Sequence, residues 1–260
     1  MTALPSLKWA VRSDPGLKRT SNEDSYSTRP DVGLFVVADG MGGHVAGEVA
    51  SRVAVEAIEA FIQETAGADK NRTWPFPFDP SVSLEANRLR AAFRLANRKI
   101  ASAIADSQDL RGMATTASAV LLGPQGASVA HVGDSRVYVL RNGKLEQLTH
   151  DHSWVEEQVR AGTLTPTAAR QHPWRNVVTR ALSGGDDPEV DVTEVVPRPG
   201  ERYLLCSDGL FTVLPDARIA DLLGDMKASL DAIAGALIAA ANDAGGPDNI
   251  TALILHIDAR

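Results

Sequence analysis

The order of apolar and polar residues divides the chain into blocks of strands and blocks of helices. An almost continuous apolar run over 34–38 predicts a strand that is buried on both faces. Apolar residues at helical spacing predict two long helices, over 45–61 and 84–104. The other predicted strands cover 7–11, 117–122, 128–132, 136–140, 145–148, 203–206 and 250–257, and the other predicted helices cover 152–161, 216–223 and 229–241.

The connections between these elements indicate the fold class. Asn142-Gly143 separates two apolar stretches and predicts a tight hairpin turn. The proline-rich residues 71–80 predict a surface loop, and the polar residues 163–176 predict an irregular segment. Strands and helices are grouped and do not alternate, so we expect an α+β domain with antiparallel sheets and helices packed outside them.

Composition narrows the class of protein. The chain has 260 residues, enough for one substantial core, and its 44% hydrophobic and 23% charged residues are typical of a soluble globular protein. A formal net charge of −7 argues against a general nucleic-acid binder, which needs a basic face. The start of the chain lacks the pattern of a signal peptide, and no apolar run is long enough for a membrane helix. A cytoplasmic protein is the expectation.

The single cysteine carries little chemistry in this sequence. Cys206 ends the apolar run Tyr203-Leu204-Leu205, which predicts a buried strand residue. One cysteine excludes an intramolecular disulfide. No basic residue lies beside it in sequence to lower its pKa, so we do not expect a nucleophile.

Aspartates recur at the ends of the predicted strands. Asp39 and Asp208 each follow a strand and precede a glycine, Asp134 follows His131-Val132-Gly133, and Asp248 precedes the last strand. Each alone is typical of an ordinary turn, but four such acids can converge on one rim of a sheet. Adjacent carboxylates repel one another and therefore require cations. Ligand sets made only of oxygen favour Mg²⁺, Mn²⁺ or Ca²⁺ over Zn²⁺.

The run Gly40-Met41-Gly42-Gly43 invites a different interpretation, a dinucleotide-binding turn. That fingerprint requires a third glycine where this chain has Val45. The following residues predict two helices, whereas a dinucleotide-binding unit returns to a strand that ends in an acid. We therefore set the dinucleotide interpretation aside.

Five ordered blocks carry a more specific resemblance, which covers about 11–257. They are Arg19-Thr20-Ser21-Asn22-Glu23-Asp24, Val37-Ala38-Asp39-Gly40-Met41-Gly42-Gly43, Val132-Gly133-Asp134-Ser135-Arg136, Ser207-Asp208-Gly209 and Asp248-Asn249. In this order they resemble the metal-dependent protein phosphatase family (type 2C serine/threonine phosphatases), in its bacterial branch. The resemblance implies two packed antiparallel β-sheets flanked by helices on both faces, an α-β-β-α sandwich. It also implies one phosphatase catalytic domain over 1–260 with a mobile flap at about 151–175.

The resemblance assigns most of the acids to metal ions. It implies that Asp39 bridges two ions and that the Gly40 carbonyl binds one of them. Asp208 and Asp248 would hold the other ion, and Glu23 would serve the ion on the Gly40 side directly or through water.

Three further residues receive roles from the same resemblance. Asp24 would orient metal-bound waters, and Asp134 with Asp208 would form a third, weaker metal site. Arg19 matches the arginine that grips the substrate phosphate, and a guanidinium can bind two phosphate oxygens at once.

The family's activity follows as an expectation. It is hydrolysis of phosphoserine and phosphothreonine in proteins, by a water activated between two Mg²⁺ or Mn²⁺ ions. The expected partners are phosphorylated proteins, foremost a cognate serine/threonine kinase and its substrates, with no nucleic acid and no membrane. The expected assembly is a monomer.

The chain departs from the family at several positions. Met41 stands where some members have a histidine that acts as a general acid, so the resemblance implies that a metal-bound water protonates the leaving oxygen. His44 follows three residues later and is given no role. Ala114 replaces a glycine common in the family, which we interpret as tolerated packing. His150-Asp151-His152 is reminiscent of a metal motif but is expected to open the flap, with Trp154 and Trp174 at its ends.

Simpler interpretations remain for single residues. Glu23 and Asp24 are also compatible with solvated turn acids, Arg19 with a surface charge, and Asp134 with a hairpin ion pair to Arg136. For the whole protein, the alternatives are an inactive binding relative and a hydrolase of small phosphoesters or nucleotides. The presence of all three principal acids disfavours the first. The second is distinguished by comparing turnover of a phosphothreonine peptide with that of sugar phosphates and nucleotides.

Overall fold

The structure is a computed structural model that describes residues 6–42, 46–67 and 73–258. The strands of this part are β1 (Leu7–Asp14), β2 (Asp24–Arg29), β3 (Leu34–Met41), β4 (Ala114–Thr115), β5 (Ala117–Leu122), β6 (Ala127–Val132), β7 (Arg136–Arg141), β8 (Lys144–Gln147), β9 (Asp191–Val195), β10 (Arg202–Cys206) and β11 (Ile250–Ile257). The helices are α1 (Ala46–Glu64), α2 (Leu84–Asp106), α3 (Trp154–Arg160), α4 (Pro166–Gln171), α5 (Asp208–Phe211), α6 (Asp216–Leu223) and α7 (Leu230–Asp243), with a 3-10 turn at Gln108–Leu110.

The strands form two antiparallel sheets. The first has the order β1-β11-β10-β7-β8, and the second has the order β2-β3-β5-β6-β9 with β4 paired to β3. Their facing sides share one core, which includes Phe35, Val37, Tyr203, Leu205 and Leu253. The second sheet packs its outer face against α1 and α2, and the first packs its outer face against α6 and α7. The predicted four-layer sandwich is confirmed.

Strand β3 shows why its sequence is apolar throughout. Side chains alternate between the two faces of a strand. Phe35 and Val37 therefore face the core between the sheets, whereas Leu34, Val36 and Ala38 face α1 and α2. Both faces are buried, so every position needs an apolar residue.

Local signals fix the turns and the helix starts. Asn142 and Gly143 have φ of 52° and 74°, the left-handed conformation that the predicted hairpin requires. Ser83 caps α2 by accepting a hydrogen bond from the backbone N–H of Ala86 (3.1 Å). Each signal lies where the sequence predicts an element boundary.

Some elements differ from the predictions. Residues 163–176 are not irregular throughout, because Thr165 caps α4 and Pro166 occupies its first turn. Strands β2 and β9 were not predicted, since each lies at a sheet edge and is only partly buried. Helix α1 begins at Ala46, and residues 43–45 and 71–72, on which parts of the predicted helix and loop fall, lie outside the described residues.

The single cysteine and the possibility of a membrane helix can also be compared with the structure. Cys206 ends β10 and is fully buried, as its sequence context predicts. Within the described residues, no helix has the length and apolar character that crossing a membrane requires.

Candidate active site

The pairing of β2 with β3 brings the first two acids together. Asp24 lies directly opposite Asp39 in the antiparallel ladder. The next residue, Gly40, donates its backbone N–H to the carbonyl of Glu23 at 3.1 Å. Asp24 and Asp39 are 15 positions apart in sequence, so the pairing of the two strands, and not a local motif, places them at one rim.

The ends of β10 and β11 deliver the remaining acids to the same rim. Ser207 follows β10 and donates its hydroxyl to Asp24 Oδ2 at 2.7 Å, and the Thr251 hydroxyl donates to the same oxygen at 2.6 Å. The Ser207 Oγ in turn accepts the backbone N–H of Thr251 at 2.9 Å. Asp208 and Asp248 adjoin these contacts and therefore face Asp24.

Asn249 fixes the loop that carries the arginine. Its Nδ2 donates to the carbonyls of Pro15 (3.0 Å) and Ser21 (2.8 Å), and its Oδ1 accepts the backbone N–H of Glu23 (2.8 Å). Arg19, between these points, donates from Nη2 to Asp248 Oδ2 at 2.7 Å. A side chain that is 53% exposed is thus held at the edge of the acid cluster.

Asp134 joins the rim from the turn between β6 and β7. The preceding Gly133 has a φ of 108° and lies against Thr116, a position where a side chain would clash. Thr116 Oγ1 lies 2.6 Å from Ser135 Oγ and accepts the backbone N–H of Asp39 at 3.1 Å. The turn of Asp134 and the end of β3 are therefore connected through one threonine.

Two glycines make room for the Glu23 carboxylate. A Cβ on Gly47 would overlap the Glu23 carboxylate, and a Cβ on Gly40 would overlap the backbone of Gly47. The start of α1 consequently approaches β3 closely with Glu23 between them. Glycine is required here because of close approach, since neither residue has a positive φ.

Burial and mutual repulsion disfavour ionisation of this cluster. Burial, with the charges of Asp24 and Asp208 added, raises the pKa of Asp39 well above its ordinary value. Burial and the charge of Asp208 raise the pKa of Asp134 to about 8. The pKa values of Asp24 and Asp208 are raised too, with burial again the largest cause.

The donor set fits a hard divalent cation. All the candidate ligands are carboxylate or carbonyl oxygens, which Mg²⁺ and Mn²⁺ accept. Asp24 Oδ1 is buried without a hydrogen-bond partner among the described residues. An unpartnered buried carboxylate oxygen beside four other acids is stabilised by a cation or by the waters around one.

The sequence pattern of the family described as Protein phosphatase 2C matches residues 18–241.

The chain belongs to the protein phosphatase 2C family.

Named relatives within the family are bacterial. The serine/threonine protein phosphatase PstP of Mycobacterium tuberculosis is 38% identical over 252 residues, which cover 96% of this chain and 45% of PstP. The chain thus spans about half the length of that relative. The serine/threonine phosphatase stp of Listeria welshimeri is 37% identical over 251 residues and is covered to 94%, as is this chain.

Solved structures of the 2C family share the fold. The PstP/Ppp structure from Mycobacterium tuberculosis superposes with a TM-score of 0.83 at 37% identity, covering 97% of this chain and 99% of that one. The PstP catalytic domain in complex with two manganese ions gives a TM-score of 0.81, also at 37% identity, with coverages of 97% and 99%. Stp1 from Staphylococcus aureus gives 0.86 at 28% identity, covering 100% of this chain and 98% of that one.

The 150–152 segment does not form the metal motif that its sequence suggests. Asp151 is bound by Arg136, with Nη2 at 2.6 Å from Oδ2 and Nε at 2.8 Å from Oδ1. His152 accepts the Gly133 N–H on Nδ1 at 3.1 Å and gives its own backbone N–H to the Gly133 carbonyl at 2.8 Å. The segment therefore ties the start of the proposed flap to the turn of Asp134.

A different trio, His131, His152 and Asp191, brings three ligand atoms within 4.8 Å of one another. The two rings stack at 4.5 Å, with planes only 24° apart, so their lone pairs do not converge. Because Gly133 donates to Nδ1 of His152, the proton of that neutral ring lies on Nε2, where a metal would have to bind. We interpret this trio as structural.

The sequence also singled out Met41, His44 and two tryptophans of the proposed flap. Met41 ends β3 near the rim, and His44 and Gly43 lie outside the described residues. Trp154 stacks on His172 at 4.8 Å and meets Trp174 edge-on at 4.8 Å, so the two tryptophans predicted at the flap ends contact each other. Sequence reasoning missed the supporting roles of Thr116, Ser207, Asn249 and Thr251, although Ser207 and Asn249 lie within the matched blocks, because single polar residues at strand ends give no distinctive pattern.

Proposed function

We propose that this chain is a protein serine/threonine phosphatase that depends on Mg²⁺ or Mn²⁺. The observation that carries the proposal is the convergence of five buried or half-buried aspartates on one rim, with an exposed arginine bonded to one of them. Four of them, Asp24, Asp39, Asp134 and Asp208, have raised pKa values. The named activities of PstP and stp support it.

In this proposal the acids form the binding sites of two metal ions. Asp39 would serve both ions, the Gly40 carbonyl and Glu23 would serve one of them, and Asp208 with Asp248 would serve the other. The manganese pair in the PstP catalytic domain supports a two-ion site. When bound, the ions supply Lewis-acid chemistry, which lowers the pKa of a water and neutralises charge on the phosphoryl oxygens.

The chain's own residues position the substrate and the acids. Arg19 is exposed and tethered by the Asn249 contacts, so it can turn from Asp248 to two phosphate oxygens while its loop stays in place. Asp24 is held by Ser207 and Thr251 through Oδ2, so its free Oδ1 would be available to orient metal-bound waters. Asp134 with Asp208 would complete a third, weaker site.

The proposed domain organisation is one catalytic unit with a flap. The two sheets share a single central core, which supports one domain. Residues 151–175 are joined to the rest at both ends: Trp154 N–H donates to the Val177 carbonyl at 2.9 Å, and Thr179 N–H donates to the His152 carbonyl at 2.8 Å. These contacts hold the two ends of the segment side by side, so that α3 and α4 project from one base, as a flap that screens substrates would.

The test of the proposed function is hydrolysis of a phosphothreonine peptide by protein stripped with EDTA, with and without added Mn²⁺. We expect turnover only when the metal is added, and faster turnover of the peptide than of sugar phosphates or nucleotides. Preference for the small phosphoesters would replace protein phosphatase by a metabolite hydrolase. No turnover with any metal would indicate an inactive binding relative.

The proposed cellular substrates are a serine/threonine kinase that autophosphorylates and the proteins it modifies. The proposal places the protein in the cytoplasm as a monomer without nucleic-acid partners. Removal of phosphate from an autophosphorylated kinase by the Mn²⁺-loaded protein, followed by phosphate-specific staining, tests the kinase assignment.

A further inference from the structure

A groove lies beside strand β9, outside the acid cluster. Strand β9 pairs with β6 and ends the second sheet, so among the described strands its other edge has no neighbour. The groove has a volume of about 670 Å³ and is formed by residues of 77–79, α2, 148–150 and 189–193. Its lining contains none of the residues proposed to hold metal or phosphate.

The outer edge of β9 offers backbone groups to a partner. Over 190–193, the backbone hydrogen bonds within the described residues are those of the β6 ladder. A free strand edge presents alternating N–H and C=O groups and binds extended peptides by adding a strand. Phe78, Leu148 and Val192 supply apolar wall for the alternate side chains of such a peptide.

Arginines face the acids of this groove. Arg90 Nη1 lies 2.9 Å from Asp79 Oδ2. Arg180 Nη1 lies 3.1 Å from Glu189 Oε2 and 3.5 Å from Asp191 Oδ1, so two acids share one arginine. With Arg94 counted, three arginines balance three acids, and the groove has no net negative charge to repel an acidic ligand.

Arg94 is the groove's cation without an acid. Its Nε is buried and has no hydrogen-bond partner within the described part of the chain. Its guanidinium lies 5.7 Å from the Phe76 ring centre, a contact that satisfies no N–H donor. A half-buried guanidinium with free donors is suited to a carboxylate, which accepts two parallel hydrogen bonds from it.

We propose that this groove docks an extended, acidic segment of a protein partner, which adds as a strand to β9 and places an Asp or Glu side chain on Arg94. His131 in the groove wall precedes Asp134 by three residues, so the groove ends roughly 10 Å of extended chain from the acid rim. One polypeptide can span both places. The docked partner is then the protein substrate itself, a step that rests on the proposed function.

The probe is a fluorescein-labelled decapeptide with valine at alternate positions and glutamate at two central positions between them. Its binding to EDTA-treated protein is followed by fluorescence anisotropy. We expect saturable binding that is at least tenfold weaker when lysine replaces both glutamates. Equal binding of the lysine peptide would overturn the charge assignment and the proposal with it.

Matched variants on one helix locate the contact. Arg94→Gln removes the proposed partner of the carboxylate, and Lys99→Gln removes the same charge from an exposed position of α2 outside the groove. We expect at least tenfold weaker binding for Arg94→Gln and wild-type binding for Lys99→Gln, with thermal melts confirming that both fold. Equal effects of the two variants would refute a specific site.

Strand addition is tested on the wild-type protein, so no variant needs to fold. N-methylation at every second residue blocks one edge of the peptide, and methylation of the other residues blocks the opposite edge. We expect one pattern to abolish binding and the other to preserve it. If both methylated peptides bind like the parent, β9 does not receive a strand.

Catalysis separates this inference from the proposed function. A short phosphothreonine peptide without an acidic segment should be hydrolysed equally by wild-type and Arg94→Gln protein. Peptide docking without turnover would keep the groove and remove the phosphatase assignment. Turnover without docking would remove the groove and keep the phosphatase assignment.

Discussion

Asp134 and Asp151 lie near the flap and are buried to nearly the same extent, but only Asp151 has side-chain hydrogen-bond partners. Asp134 is 8% exposed and Asp151 is 9% exposed. Asp151 accepts two hydrogen bonds on each carboxylate oxygen, from Arg136 and from Gln147, whereas Asp134 accepts none from a side chain of the described residues. Asp151 therefore serves the structure, whereas the carboxylate of Asp134 is available for the proposed cation.

Arg136 links the segment of Asp151 to the part of the rim that contains Asp134 and Asp208. It binds Asp151, donates to the Tyr138 hydroxyl at 2.7 Å, and lies 3.7 Å from the centre of the Phe211 ring. Phe211 ends the short helix that begins with Asp208. The ion pair of Arg136 with Asp151 thus supports the turn that carries Asp134 and the helix that begins with Asp208.

The largest expected effect is that of changing an acid of the proposed metal site. Asp39→Asn should lower kcat/KM on a phosphothreonine peptide by at least about a thousand-fold, because the metal supplies several kcal/mol of transition-state stabilisation. The contacts with Thr116 use the backbone of Asp39, so the fold should persist. Steady-state kinetics and Mn²⁺ titration measure both. The control, Asp31→Asn at an exposed turn, should retain activity, and full activity of Asp39→Asn would remove it from the metal site.

The second effect concerns the partnered acid. Asp151→Asn should lower the free energy of unfolding by about 3–5 kcal/mol, since it leaves the charge of a buried Arg136 uncompensated. Urea unfolding of the metal-free protein gives the value. In the double variant with Arg136→Met the loss should be smaller than the sum of the single losses. Additive losses would mean that the pair does not act as a unit.

A smaller effect is the pH dependence of the metal-free protein. Asp134 has a pKa of about 8 when folded and an ordinary value of about 3.9 when unfolded. Between these values the folded state binds more protons than the unfolded state, so stability should fall as pH rises from about 4 to about 8. Asp134→Asn should flatten this slope and raise the Tm at pH 8 by roughly 5 °C. Unchanged thermal melts would contradict the raised pKa.

The smallest expected effect is that of Arg19→Ala. Loss of one exposed bidentate phosphate contact should raise KM about tenfold and leave kcat within a few-fold of wild type. Arg12→Ala is a suitable control, because Arg12 is also exposed and pairs with an acid outside the rim, Asp231 at 2.7 Å. An unchanged KM would remove Arg19 from the phosphate site.

Much of the fold could be predicted because burial leaves a clear pattern. Strand β3 is apolar on both faces, and the Asn142-Gly143 turn needs residues that accept positive φ. Strand β2 (Asp-Ser-Tyr-Ser-Thr-Arg) is a polar edge strand and resembles a loop in sequence. In α4 a signal was present, a Thr-Pro helix start, but it was short. Strand β9 has only two valines, Val192 and Val195, and they do not alternate.

The site divides in the same way. The acids could be singled out because their order matched a family, whereas their pairing depends on strand register. That Asp24 lies opposite Asp39, or that Thr251 reaches Asp24, follows from tertiary structure alone. The groove at β9 has no sequence signature, since its arginines and acids come from three separate segments.

Cys206 is not exposed as a reactive thiol, so this residue is protected from oxidants. Its thiol is fully buried at the end of β10, and burial raises its pKa far above the ordinary value, so it holds no thiolate at cellular pH. Peroxide and alkylating reagents act on exposed thiolates, and this chain has no other cysteine. The proposed phosphatase activity would therefore not be lost through oxidation of this thiol under oxidative stress, whereas enzymes that depend on a reactive cysteine would be inactivated.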